Sequence, residues 1–340
     1  MSIRKKLKVA VLVINYNGKH YLRECLESLK NQTYKDYDVY VVDNGSVDIS
    51  VEYVKGHFPW VKIIAFRENL GFAKAYNEAI KKVDADLVAL LNNDTRVDRK
   101  WLQELVNAIL EDGLIAAVGS KILLYDNPQL LNHAGAKITP IGGGFDIGLY
   151  RQDASEYNIK KPVGAVCGAA MLVKKDVFLE MGGFDDDFFA YFEDTDFCWR
   201  AWLYGYKVIY VPTSVVYHKF GGSWGHSSPE KVFLGEKNRL SSMIKNAEWI
   251  NLISGLFLTI FFNIIRIMFY SRNRAQNMVL SIIRADLWIL KNIRKIMNKR
   301  ILQKKRVVKR DHTLFELGII ASVRESIREF FRLSLTKTTA

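Results

Sequence analysis

The chain has little thiol chemistry to offer: three cysteines, Cys25, Cys167 and Cys198, in 340 residues. Their number is odd and their spacing irregular, so no disulfide framework and no zinc-ligand pattern can be drawn, and a reducing compartment is expected. A glycine-rich turn after the first apolar run is also missing. Val9 to Ile14 leads into Asn15-Tyr16-Asn17-Gly18, not into G-x-G-x-x-G, and no P-loop occurs. Dinucleotide and Walker-type phosphate cradles are thereby excluded. The same run is too short for the core of a signal peptide behind the basic segment Met1 to Lys8, so the globular part is expected in the cytoplasm. Acidic residues are scarce in one region only. From Glu236 onward 21 Lys and Arg face 7 Asp and Glu, whereas the first 235 residues hold 28 and 29. The net charge of +13 therefore belongs to the tail, and an anionic surface, lipid or nucleic acid, is its expected partner.

What is present describes a globular protein with a sizeable core: 49% hydrophobic and 25% charged residues. Continuous β-rich runs at Val9–Ile14, Val39–Val42, Val61–Phe66 and Leu87–Leu91 alternate with helical patterns. One helix buries Leu22, Cys25, Leu26 and Leu29, a second passes through Ala73, Asn77 and Ile80, and a third covers Asp98 to Leu110 before a strand at Ile115–Val118. Strands apolar on both faces and alternating with helices predict an α/β, doubly wound, mostly parallel sheet. Ligands bind such sheets at the carboxyl ends of the strands. Here those ends carry Asn15-Tyr16-Asn17, Asp43, Asn69 and Asn92-Asn93-Asp94. A turn needs such residues anyway, but four clusters on one edge define a candidate site. With no glycine cradle, a diphosphate ligand would need another counter-charge, and a divalent cation on Asp94 would supply it.

Residues 120–165 read as a loop-rich insertion or flap, with Gly142-Gly143-Gly144 as a flexible stretch. Val166 to Val173 reads as a buried strand of small residues, followed later by strands at Lys207–Val211 and Val215–His218. Between them three carboxylates, Glu193, Asp194 and Asp196, stand at the start of a helix behind an aromatic run. Acids there can cap free N–H groups, or they can do chemistry. Trp199 and Trp202 are expected in the core. His20, His57, His133, His226 and His312 show no partner pattern and receive no role.

The motifs Asn15-Tyr16-Asn17, Asp43-Asn44-Gly45-Ser46, Asn69-x-Gly71-Phe72-Ala73, Asn92-Asn93-Asp94, Gly182-Gly183-Phe184-Asp185, Tyr191-Phe192-Glu193-Asp194-Thr195-Asp196 and His218-x-x-Gly221-Gly222-Ser223 occur in that order. Together they make the chain resemble the family 2 glycosyltransferases of the GT-A (nucleotide-diphospho-sugar transferase) fold, and more narrowly their rhamnosyltransferase-like branch, over about residues 8–225. The resemblance implies an inverting transfer of a sugar, rhamnose favoured, from a dTDP- or UDP-sugar to an acceptor hydroxyl on a glycan or lipid, in the synthesis of cell-surface polysaccharide or glycoconjugate. It implies that Asn15, Tyr16 and Asn17 hold the nucleoside, with Tyr16 along the base or ribose. Asp43 would accept from the pyrimidine ring N–H, and Asn69, Gly71 and Asn77 would line the nucleotide pocket. The family's D-x-D stands here as Asn92-Asn93-Asp94. Its first acid is an amide, so metal binding rests on Asp94, with His218 as the late ligand and Mn2+ or Mg2+ as the ion; Asn92 and Asn93 would stay with the nucleotide. Asp194 matches the catalytic base. Glu193 would bind sugar hydroxyls or support the loop, and Asp196 would serve the helix.

The expected division is a catalytic domain over 1–235 and a helical, basic appendage over 236–340. In the latter, Trp249 to Ile265 carries no charge, and Asn251, Gly255, Thr259 and Asn263 recur every fourth residue with Arg266 on the same side. Such a stripe suits a helix lying in a membrane interface better than one crossing it. With the basic run Lys299–Arg310 it predicts attachment to an anionic leaflet at the cytoplasmic face, peripheral or monotopic. The alternative is a hairpin packed on the catalytic domain or on a second copy in a homo-oligomer. Two other functions are weighed. A nucleotidyltransferase acting on sugar phosphates would carry a glycine-rich loop after the first strand. A basic-tailed nucleic-acid binder would interleave aromatics with basic residues on the globular part; here the basic excess is confined to the tail, and no nucleic acid is expected.

Overall fold

The computed structural model describes residues 7–220 and 228–336. The basic residues 1–6, Gly221-Gly222-Ser223, Trp224 and His226 lie outside the described residues. The elements run β1 (Val9–Asn15), α1 (Lys19–Leu29), β2 (Tyr37–Asp43), α2 (Ser50–His57), β3 (Lys62–Ala65), α3 (Gly71–Lys82), β4 (Leu87–Asn92), β5 (Thr95–Val97), α4 (Trp101–Ile109) and β6 (Ile115–Leu124). Then follow the short strands β7 (Leu131–His133), β8 (Ala136–Ile138), β9 (Gly144–Asp146) and β10 (Lys161–Pro162), with β11 (Ala170–Lys174), α5 (Lys175–Glu180), α6 (Glu193–Leu203) and β12 (Lys207–His218). Five helices close the described residues: α7 (Pro229–Asn246), α8 (Trp249–Arg272), α9 (Gln276–Lys304), α10 (Asp311–Glu316) and α11 (Val323–Thr336).

The main sheet has the order β10-β12-β6-β11-β4-β1-β2-β3. The expected parallel pairing holds across β4-β1-β2-β3 and between β6 and β12, while β11 runs antiparallel between β4 and β6. The sheet is therefore mixed. Its apolar strands are buried on both faces because helices cover each side. Leu22, Cys25, Leu26 and Leu29 of α1 and Trp101, Leu102 and Leu105 of α4 pack on one face; Ala73, Tyr76 and Ile80 of α3 with Phe197, Trp199 and Trp202 of α6 pack on the other. Both α6 tryptophans are core residues, as expected, and the Trp202 indole donates to the Val163 carbonyl at 2.9 Å.

Two readings of the sequence are corrected. Residues 120–165 do not form a flap. β6 continues to Leu124, β7 pairs with it antiparallel, and Leu131, Asn132, His133, Ala134 and Ile138 are buried. Gly142 of the glycine triplet is a close-packing position: with φ +90°, a Cβ there would run into the Arg239 carbonyl. The run Val166–Ala169 precedes its strand as a turn, because its amides are captured by side chains described below.

The appendage is integral to the molecule. α7 runs unbroken across the expected boundary at 235/236, capped by the Ser228 hydroxyl, which accepts from the Lys231 N–H at 3.2 Å, with Pro229 in its first turn. Its Lys245 is buried between Asp185 and Asp196 (3.0 Å to Asp196), and Lys299 of α9 pairs with Asp185 and with Asp187 at 2.7 Å. The polar stripe of α8 faces this body. Asn251 donates to Asp311 at 2.7 Å, Gly255 lies against Met243 and the Pro140 carbonyl, and Thr259 bonds Arg239 at 3.1 Å. Asn263 and Arg266 bond Glu236 at 2.9 and 2.6 Å. Trp249, Ile250, Phe257, Phe261, Met268 and Phe269 are left exposed.

Candidate active site

The carboxyl ends of β1 and β4, the starts of α3, α6 and α7, and the β7–β9 segment enclose a cleft of about 750 Å3. Backbone pairing builds one part of it. β5 lies antiparallel to the end of β12 with Thr95 opposite His218, and Lys219 N–H donates to the Asp94 carbonyl at 3.0 Å. Asp94 and His218 are thus brought together from positions far apart in sequence, with Nε2 3.3 Å from Oδ1 and both side chains buried. His218 Nδ1 lies 2.8 Å from Asn132 Oδ1, an acceptor, so Nδ1 carries a proton and the ring is held with Nε2 toward Asp94. Asp94 Oδ1, the oxygen that Nε2 faces, has no hydrogen-bond partner; Asn92 Oδ1 is likewise buried without one. An imidazole and a carboxylate at this separation can pair as ions through a proton or hold a cation between them. The donor set, carboxylate plus imidazole, suits a divalent ion. Among the described residues no group of three or more His, Cys, Asp or Glu side chains could hold a metal, so remaining positions would fall to ligand oxygens and water.

The catalytic candidates stand on strained backbone. Tyr191 and Phe192 both adopt left-handed conformations, with φ of 73° and 65°, at a cost of about 1–3 kcal/mol each for side chains of this size. Asn238 of α7 holds the bend by donating to the Ala190 and Tyr191 carbonyls at 2.8 and 2.7 Å. The chain then enters α6 with Glu193 and Asp194 turned into the cleft. Asp194 accepts from the Gly168 N–H at 2.8 Å and the Thr195 N–H at 2.6 Å. Burial raises its pKa above the ordinary aspartate value; the two N–H groups oppose that shift and nearby Asp146 adds to it. Glu193 is also buried, its Oε2 has no partner, and burial with Asp194 alongside holds its carboxyl well above the usual range. Asp196 lies outside the cleft. It is fully buried, bonded to Arg200 Nε at 2.9 Å and to Asn246 at 3.0 Å, and it ties α6 to α7.

Of the residues expected around a nucleotide, Tyr16, Asn17, Asn69, Gly71, Asn92 and Asn93 line the cleft. Asn15, Asp43 and Asn77 do not. Asn15 donates to Asp43 and Ser46, each at 3.1 Å, and accepts from Asn93 at 2.7 Å. This buried net braces the strand ends beneath the cleft. Asn77 holds the loop before α6, bonding the Phe184 carbonyl and N–H, each at 2.9 Å, and Asp186 at 2.7 Å. His133, given no role from sequence, lines the cleft with Asp146. Its ring lies 2.7 Å from Asp146 Oδ1 through Nδ1 and accepts the Cys167 N–H on Nε2 at 3.2 Å. The Cys167 thiol lines the same wall, and burial pushes its pKa far up, so it is no thiolate nucleophile.

A site of this build at the strand ends of a sheet in this order belongs to a glycosyltransferase of the GT-A fold. GalNAc-T7, solved with UDP, GalNAc and Mn2+, superposes with a TM-score of 0.58 at 19% identity, over 71% of this chain and 48% of that one. The mannosyltransferase PcManGT from Pyrobaculum calidifontis, solved with GDP-Man and Mn2+, gives 0.54 at 16% identity over 84% and 88%. The model of Glycosyl transferase family 2 matches residues 10–182, and the chain belongs to that family. An uncharacterized Sinorhizobium fredii protein is 28% identical over 66% of this chain; the match takes in 26% of that protein, so the chain spans about a quarter of its length. The N-acetylglucosaminyl-diphospho-decaprenol L-rhamnosyltransferase of Mycobacterium tuberculosis is 27% identical over 67% of this chain and 84% of its own.

Proposed function

We propose that this glycosyltransferase is metal-dependent and inverting, and moves a sugar, rhamnose first among candidates, from a dTDP- or UDP-sugar to a hydroxyl of a glycan or lipid-linked acceptor. The observation that carries the reading is the placing of Asp194, a half-buried carboxylate fixed by two N–H groups, in the same cleft as the Asp94–His218 pair. Asp194 takes the proton of the acceptor hydroxyl as its oxygen attacks the anomeric carbon. The bond from that carbon to the diphosphate oxygen breaks on the opposite face, and the nucleoside diphosphate leaves with the electron pair. One displacement inverts the anomeric centre and needs no covalent sugar–enzyme intermediate. Asp94 and His218 would hold a Mn2+ or Mg2+ ion, which when bound neutralises charge building on the diphosphate. Tyr16, Asn17, Asn69 and Asn92 face the donor half, while Asn15, Asp43 and Asn77 act from beneath as support. The Mn2+ and nucleotide-sugar ligands of the structural neighbours and the substrate named for the mycobacterial relative support this reading.

The test is a donor screen that follows nucleoside diphosphate release with and without divalent metal. Turnover of a dTDP- or UDP-sugar, abolished by chelation and restored by Mn2+ or Mg2+, is expected. Asp94→Ala should weaken donor binding at least about tenfold, the loss of one charged contact. Donor affinity indifferent to both chelation and Asp94→Ala would remove the metal from the mechanism.

The same reading sets the enzyme on a membrane. α8 is long and apolar enough to cross one, but its polar stripe is bonded to α7 and its apolar side is exposed, which favours lying in the interface. Exposed Arg272, Arg274, Lys291, Arg294 and Lys305, in no ion pair among the described residues, supply charge for an anionic leaflet. Replacing Phe257, Phe261 and Ile264 together by Ser should cut binding to vesicles containing anionic lipid by about two orders of magnitude or more, since each large side chain contributes about 1.5–3 kcal/mol when buried. Unchanged co-sedimentation of a folded triple variant would rule the face out.

A further inference from the structure

Asp146 and His133 belong to no role assigned so far, yet they stand in the reaction cleft. The cleft has two halves. The ends of β1 and β4 and the start of α3 form the donor half. In the sheet order, β6 and β12, with β7 attached to β6, lie across β11 from those strands. Asp194 stands between, fixed to Gly168 just ahead of β11. A base must lie within hydrogen-bond reach of the attacking hydroxyl, at the meeting of the donor and acceptor halves, so with the donor on the β1–β4 side the acceptor enters from the β7–β9 side.

On that side His133 is immobilised. Its side chain is 3% exposed and both ring nitrogens are engaged, one with Asp146 and one with the Cys167 N–H. It therefore has no free position for proton transfer, and its effect is to fix Asp146. The Asp146 side chain is 37% exposed and lines the cleft. With Oδ1 taken by His133, the carboxylate keeps acceptor capacity toward the space beside Asp194. Glu193, 5% exposed, lines the same cleft, and its buried Oε2 has no hydrogen-bond partner. The β8–β9 ladder sets Ala136 opposite Asp146 and so returns the chain to His133.

We propose that Asp146, positioned by His133, accepts from the hydroxyl groups of the acceptor sugar ring and is a specificity-determining residue of the acceptor. The inference rests on the transferase reading above. A carboxylate with one oxygen held by His133 and the other free to accept matches a neutral polyol. It repels phosphate, so in a lipid-linked diphosphate acceptor the sugar ring, not the diphosphate, occupies this wall.

The experiment uses the full chain with dTDP-rhamnose as donor and, as acceptor probes, N-acetylglucosaminyl diphosphate on a short alkyl chain and a panel of neutral sugar glycosides. Asp146→Asn should raise the acceptor KM about tenfold to a hundredfold, the loss of a charged hydrogen bond. Its kcat at saturating acceptor should stay within a few fold. Donor KM and acceptor-free release of nucleoside diphosphate to water should match the unaltered enzyme. Asp146→Glu, which keeps the charge but moves it, should reorder preference within the panel, and His133→Gln should raise acceptor KM alone. An unchanged acceptor KM and preference in Asp146→Asn and Asp146→Glu, with the parent active, overturns the subsite and leaves the transferase reading standing. Equal loss of acceptor-free release also overturns it, since the residue would then serve the donor or the fold. A parent that neither binds nor turns over any dTDP- or UDP-sugar overturns the transferase reading and this inference with it.

Discussion

Asp194→Asn and Asp194→Ala are expected to lower kcat for sugar transfer by about 10²–10⁴-fold, the usual contribution of a positioned general base, while nucleoside diphosphate affinity changes little. Both variants are needed. Asparagine keeps the size but turns one oxygen into an NH2, which must face either the Gly168 or the Thr195 N–H, each of which donates to Asp194 in the native enzyme. Alanine leaves both N–H groups to water in the open cleft. Agreement between the two separates the lost proton acceptor from a misplaced loop. Full transfer activity in either would remove Asp194 as the base.

The pH profile checks the same assignment. Glu193 and Asp194 are adjacent carboxyls whose surroundings push their pKa values apart, the pattern that separates acid and base roles. Burial raises both, but Asp194 has two N–H donors to stabilise its charge, and Glu193 has less support and a buried oxygen without a partner. Asp194 therefore ionises first. A base must be ionised to accept a proton, so its raised pKa moves the acid limb of kcat above the ordinary aspartate value of about 3.9.

The sheet and the strand-end cluster were legible in sequence because apolar runs of strand length alternate with amphipathic helical patterns, and the polar residues fall where those runs stop. Contacts between distant segments were not. Val166–Ala169 has the composition of a strand, yet His133 and Asp194 take the Cys167 and Gly168 amides that a ladder would use. Asn15, Asp43 and Asn77 are the right residue types at the expected places, but nothing local shows that they turn inward to bond one another and the 184–186 loop. His133 and Asp146 are brought together by the β8–β9 hairpin and the backbone bonds beside it, such as Ala134 N–H to the Ile147 carbonyl, and the hairpin strands span three residues each, too few for an alternation to register. The α8 stripe was visible as a period of four, but a period does not say whether its polar side meets water or protein.

The appendage is where this difference has the greatest energetic consequence. Part of the charge that marks the tail as an anion binder is engaged inside the molecule. Lys245 lies between Asp185 and Asp196, with Phe188 under its ammonium at 4.7 Å, and Lys299 reaches Asp185 and Asp187 from α9. These acids flank the aromatic segment that ends at Glu193. Burial alone would raise the pKa of Asp185, but Lys245 and Lys299 more than offset it and hold it well below the usual range; against the same effect of burial, Lys245 and Arg200 lower that of Asp196. Lys245→Met keeps the bulk of the side chain and removes its charge, leaving two buried carboxylates short of a partner. Such a break costs about 3–5 kcal/mol. At about 2.1 cal/mol/K per residue of unfolding entropy over 340 residues, that corresponds to a fall in Tm of about 4–7 °C. The sign with pH follows from the depressed values. The pairing is fully stabilising above the unfolded aspartate pKa of about 3.9 and fades as pH falls toward the lower folded values. The gap in Tm between the parent and Lys245→Met should therefore be widest near neutral pH and close under acid. A gap that does not change with pH would mean that Lys245 acts by packing alone. Excising α8 and α9 to test membrane binding would strip Lys295 and Lys299 from the loop that presents Glu193 and Asp194, and activity would be lost for a reason unrelated to lipid.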